Sequence, residues 1–138
     1  MGRILAIDYG MVRTGLAVTD PSKIIVSPLE TVSTTNLTPY IKEYITRQNV
    51  EHVVVGYPVN PQGGENPVLH NIRLFVDNLR KLFPDLPIDY YDEQYTSRMA
   101  ESAMLSGGFK RKYRKTKGNS DKMAAAFILQ GWIDENPI

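Results

Sequence analysis

The 138-residue chain contains no cysteine, which excludes a disulfide framework and any thiolate metal centre. It has two histidines, His52 and His70, far apart in sequence, which argues against a zinc site of the usual nitrogen and sulfur ligands. Oxygen ligands remain, and those suit magnesium or manganese. No apolar run reaches the roughly 20 residues needed to span a bilayer, and the N-terminus lacks the order of a signal peptide. The expectation is a cytoplasmic protein with no membrane partner. A strong charge bias is missing too, since the formal net charge is +1, a value silent about anionic partners. With 42% apolar and 22% charged residues, the composition is that of an ordinary globular protein. The length suits one domain over 1–138 with a real core.

The charges that are present are unevenly placed. The stretch "KRKYRKTK" at 110–117 holds six of the sixteen basic residues, namely Lys110, Arg111, Lys112, Arg114, Lys115 and Lys117. It forms a cationic patch on a near-neutral chain.

The opening stretch "RILAIDYGMVRTGLAV" predicts strands over 3–8 and 12–19 joined by a short glycine-containing turn. Asp8 ends the first apolar run. It is either a turn aspartate or a carboxylate awaiting something cationic, because an unpaired charge out of water is costly. A third strand falls on "KIIVS" or "ETVST", and "LTPYIKEYITRQN" has helical spacing with Pro39 suited to its first turn. The valine-dense "EHVVVGYP" reads as a central strand covered on both faces. After the polar loop "VNPQGGENP", Val68, Ile72, Phe75, Leu79 and Leu82 form the stripe of an amphipathic helix. "LPIDYYDEQ" gives a fifth strand. "TSRMAESAMLSG" gives a helix capped by Thr96 or Ser97 and stopped at Gly107. "SDKMAAAFILQGWIDE" gives the last helix. The pattern predicts an α/β domain with a mixed five-stranded sheet, its first three strands antiparallel and the rest parallel, flanked by helices.

Parallel strands carry Asp8, the Gly56-Tyr57-Pro58 corner and the Asp92-Glu93 pair to one edge of one sheet, the edge at which open α/β sheets bind ligands. In the last helix Asp121, Ala125, Ile128 and Trp132 share a face, so Asp121 either serves the helix dipole or joins the other acids. Carboxylates crowded at one edge repel each other unless hard cations sit among them. Two such ions are the clamp used for in-line phosphodiester displacement. The basic patch would then hold a polyanionic substrate through its phosphates.

The motifs "AIDYGMVRTGLAVTD", "VVVGYPVN", "YYDEQYTS" and "DKMAAAFILQ" resemble, in order and spacing, those of the YqgF (RuvX) family. That resemblance implies a ribonuclease-H-like fold and catalytic, metal-binding acids at Asp8, Glu93 and Asp121, holding magnesium or manganese as a pair of ions. It also implies processing of the 5′ end of pre-16S ribosomal RNA, with Holliday junction resolution as the alternative and ribosomal precursor particles as partners. Gln94 stands where the family commonly carries an arginine, a loss for which Arg98 or Arg13 compensates if that arginine contacts phosphate.

Arg13 is either a phosphate clamp or a solvated side chain. Asn60 lines the substrate groove or makes its own turn, and Thr96 is a cap and a substrate contact. Gly10 and Gly15 serve the hairpin or let a phosphate approach the backbone. Asp92 is the neighbour that competes with Glu93, since successive strand residues point to opposite faces. Two other classes fit parts of the pattern. The Asp-x-Gly hairpin also opens actin-like ATPases and sugar kinases, but those need two such domains around the nucleotide. A binding module without chemistry would need only the basic loop. RNA is the favoured nucleic acid, and the oligomeric state is not legible, although a symmetric junction would demand a dimer.

Overall fold

The computed structural model describes residues 2–57, 67–92 and 119–136. The strands are β1 (Arg3–Asp8), β2 (Arg13–Thr19), β3 (Val26–Ser33), β4 (Val50–Tyr57) and β5 (Ile88–Asp92). The helices are α1 (Leu37–Gln48), entered through a 3-10 turn at Thr34–Asn36, α2 (Pro67–Leu82) and α3 (Asn119–Glu135). The helix expected from "TSRMAESAMLSG" and the basic stretch 110–117 lie outside the described residues.

The strands form one sheet in the order β3-β2-β1-β4-β5. β1 and β2 pair antiparallel, as do β2 and β3, whereas β4 pairs parallel with both β1 and β5. The mixed sheet expected from the sequence is therefore present. Central β4 is buried from Val53 to Gly56, as its unbroken valines require.

Strand β3 departs from expectation. One continuous strand bridges the two candidate segments and runs through Pro28. Proline is tolerated there because β3 is an edge strand and its register against β2 shifts between Leu16 and Ala17, the setting in which a missing N–H costs no ladder bond. The turn before it is tied by Asp20, whose carboxylate accepts the N–H groups of Ile25 (2.8 Å) and Ile24 (2.7 Å). Those bonds, the one from Ile25 foremost, hold its carboxyl below the usual range.

Two apolar layers sandwich the sheet. On one side Leu37, Ile41 and Ile45 of α1 and Ile72, Phe75, Val76 and Leu79 of α2 meet Leu5, Ile7, Leu16, Val53, Val55 and Ile88. Each such side chain contributes about 1.5–3 kcal/mol by leaving water. Val76 joins the expected α2 stripe, while Leu82, at the helix end, is 38% exposed and leaves it. On the other side Ala125, Ile128 and Leu129 of α3 meet Ile4, Ala6, Ala17 and Val54.

Candidate active site

Alternation along β1 decides where Asp8 points. Leu5 and Ile7 face α1 and α2, and Ile4 and Ala6 face α3, so Asp8 shares the α3 face. Its cross-strand partner on β2 is Gly15, placing the two Cα atoms about 4.5–5.5 Å apart. Gly15 has no room for a side chain: a methyl group there would overlap the main-chain carbonyl of Asp121 and crowd the N–H of Lys122. The first turn of α3 thus rests directly on bare strand backbone beside Asp8. Neither sequence reading of Gly15 had considered this, because what it avoids is a helix 106 residues further along the chain. Gly10 does serve the hairpin, since a methyl group there would overlap the Arg13 carbonyl.

Arg13 completes the corner. Its Nε donates to Asp121 Oδ2 at 3.1 Å, with side chains 40% and 28% exposed respectively. It is therefore an ion-pair partner of a candidate acid rather than a free solvated side chain. The hairpin carrying Arg13 is anchored from below: buried Thr14 shares a 2.9 Å hydrogen bond with Thr34, whose hydroxyl donates to the Gly10 carbonyl at 2.6 Å.

At the end of β5, Asp92 pairs in register with Tyr57. Tyr57 packs against the α1/α2 core, and its ring meets Tyr90 edge-on at 5.1 Å. Asp92 is thus on the face opposite Asp8. Glu93, Asn60, Thr96, Arg98 and the six cations Lys110, Arg111, Lys112, Arg114, Lys115 and Lys117 lie outside the described residues, as does Gln94. Among the described residues no cluster of three His, Cys, Asp or Glu side chains occurs. Asp8 and Asp121 nonetheless supply hard oxygen donors on a shared face, a donor set that fits magnesium or manganese rather than softer metals.

The same edge carries aromatic residues that sequence reading passed over as plain strand positions. Tyr9, Tyr57 and Tyr90 all turn toward α1 and α2. Arg73 of α2 donates to the Tyr57 hydroxyl at 2.6 Å and sits 5.9 Å from the ring centroid. Burial pushes the Tyr90 phenol above its ordinary pKa. The usable signal was a tyrosine at or just beyond the ends of β1 and β4, with Tyr90 in the middle of β5 beside them.

A five-stranded sheet of this order, with acids at the carboxyl edge and on the covering helix, defines the ribonuclease-H-like class. Two resolvases have this fold. The structure titled "T. thermophilus RuvC in complex with Holliday junction substrate" superposes with a TM-score of 0.64 at 16% identity, covering 99% of this chain and 98% of that one. The yeast mitochondrial Holliday junction resolvase Ydc2 gives 0.53 at 13%, covering 96% and 78%. Residues 2–135 match RuvX, described as Holliday junction resolvase, and the chain belongs to that family. A relative from Porphyromonas gingivalis (strain W83) is 46% identical over 137 residues, 99% of each chain. One from Amoebophilus asiaticus (strain 5a2) is 45% identical over 133 residues, 96% of this chain and 94% of its own. Both bear the name "Putative pre-16S rRNA nuclease". Among the described residues no helix is long and apolar enough to cross a membrane.

Proposed function

We propose that the chain, acting as one domain in the cytoplasm, is a nuclease that hydrolyses phosphodiester bonds of precursor 16S ribosomal RNA. The observation that carries the reading is the seating of the Asp121 main chain on Gly15, the cross-strand neighbour of Asp8, so that α3 begins over the face to which Asp8 points. Glu93 is the third acid. The family resemblance names it, and Asp92 is directed to the opposite face.

The three carboxylates would hold magnesium or manganese, which when bound supplies a more acidic water and a counter-charge for the departing oxygen. The chain's own groups do the rest. Asp8 is presented by the sheet and Asp121 by the first turn of α3. Arg13, already turned to this face, neutralises Asp121 and can receive a phosphate oxygen in exchange. The cations of 110–117, with Arg98, Asn60 and Thr96, would track the backbone of the bound strand without reading its sequence.

Resolution of branched DNA is the second reading, favoured by the family's description and the fold shared with RuvC. The decisive experiment presents purified protein and manganese with matched precursor RNA, duplex DNA and a four-way junction. Cleavage of the RNA at its 5′ side is expected, and cleavage confined to the junction would shift the assignment. Asp8→Asn is expected to abolish cleavage while leaving thermal stability without metal unchanged or slightly raised, because one repelling charge is gone. Full activity in that variant would remove Asp8 from the site.

A further inference from the structure

On the α1/α2 side of the same edge lies a groove of about 280 Å³ between the hairpin, the start of α1 and α2. This is just under the range of about 300–1,000 Å³ typical of pockets for drug-sized ligands, which suits one small flat group rather than a larger molecule. Its walls include Tyr9, Thr34, Thr38, Asn71, Leu74 and Asn78. Among the described residues none of its lining side chains is charged, so they offer little to a phosphate or a carboxylate. It offers an aromatic ring, aliphatic surface, amides and hydroxyls. That set matches an uncharged flat heterocycle with hydrogen-bonding edges, and unstacked nucleobases are recognised by such stacking and edge contacts.

The groove is positioned to receive such a base. Tyr9 follows Asp8 directly, so their Cα atoms are roughly 3.8 Å apart, but Tyr9 packs on the α1/α2 side while Asp8 faces α3. A strand crossing the sheet edge at Asp8 therefore meets Tyr9 next. The ring is held from behind by Phe75, with centroids 5.7 Å apart. Asn71 is oriented by donating its amide to the Met11 sulfur at 3.0 Å, which leaves its carbonyl oxygen as an acceptor. Among the described residues, no hydrogen bond engages the side chains of Thr38 or Asn78.

We infer that this groove seats one unstacked nucleobase of the strand whose phosphate lies at Asp8 and Asp121, with Tyr9 as the stacking platform and Asn71 and Asn78 on the base edge. The inference rests on the nuclease reading for its substrate, but its test reads binding rather than cleavage.

A fluorescein-labelled 12-nucleotide single-stranded RNA is titrated with Asp8→Asn protein, and with the same protein carrying either Tyr9→Leu or the Thr38→Ala/Asn78→Ala pair. Tyr9→Leu is expected to weaken binding about tenfold, the scale of one lost base–aromatic stack, and the Thr38/Asn78 pair about fivefold, the scale of one lost hydrogen bond. A scan of the RNA with single abasic nucleotides should find one position at which the loss does not add to that of either variant. Binding within twofold of the parent for both variants, or additive losses at every position, overturns the inference. If the unmutated chain cleaves nothing while base-dependent binding persists, the nuclease reading fails and the groove stands. If it cleaves RNA and the groove variants bind normally, the groove alone fails. No RNA binding by any variant overturns both.

Discussion

Toward α1 and α2 the sheet presents Leu5, Ile7, Leu16, Val53, Val55 and Ile88, whereas toward α3 it presents Ile4, Ala6, Ala17 and Val54, with Gly15 bare at the edge. The first surface is bulky and interdigitates with two helices. The second is low, and it lets a single helix settle close to the strands. Small residues recur along that contact, with Ala125 against the sheet and Gly131 so near Tyr91 that a methyl group there would lie 2.6 Å from the tyrosine hydroxyl. One face maximises buried apolar volume and supplies stability. The other gives up volume for proximity, and proximity brings Asp121 to Asp8.

Gly15→Ala tests that division most severely. The added methyl group collides with main chain, which cannot rotate away, so α3 must lift at its first turn. A stability loss of about 1–3 kcal/mol is expected, the usual cost of overpacking, together with loss of cleavage. Thermal melts and a cleavage assay measure the two, and retained activity would show that α3 need not sit so close. The next comparison sets Glu93→Gln against Asp92→Asn. Glu93→Gln should remove cleavage and weaken manganese binding in titration calorimetry. Asp92→Asn, on the bulky face, should do neither and lose about 1 kcal/mol of stability, the scale of one local hydrogen bond. The reverse result would move the third ligand to Asp92.

Ile72→Ala examines the stability face alone. Truncating this fully buried side chain should cost about 2–5 kcal/mol by denaturant melt, yet leave cleavage near normal well below the midpoint. Loss of activity without unfolding would mean that the two faces are not separable. Arg13→Ala should change least. Its pair with Asp121 is substantially exposed and contributes less than about 1 kcal/mol. With that competing cation removed, manganese affinity should rise by no more than about fivefold, the equivalent of that energy. A fall in manganese affinity would instead make Arg13 an organiser of the acids.

Most elements were legible because apolar spacing alone decides them. The stripe of α2 and the valine run of β4 have no competing interpretation. Strand β3 was legible only as one of two alternative short segments, since Pro28 between them is tolerated by its edge position, a property of the assembled sheet. Asp8 and the end of β5 could be brought to one edge from topology. Gly15 could not be understood, because the atoms it makes room for belong to α3. The tyrosines hid for a related reason: a tyrosine in or beside a strand looks the same whether it faces core, solvent or a groove.

The bond between Arg13 and Asp121 spans 108 residues, and this separation sets a timetable for synthesis. Strand β1, and Asp8 with it, leaves the ribosome well before α3. At roughly 5–20 residues per second, the helix that completes the corner follows about 5–20 seconds later. Until then a nascent chain can pair its strands and close the α1/α2 side, yet it lacks the helix-borne acid of the proposed site. On the proposed reading, nuclease activity is thereby withheld from the polypeptide while it is still being made.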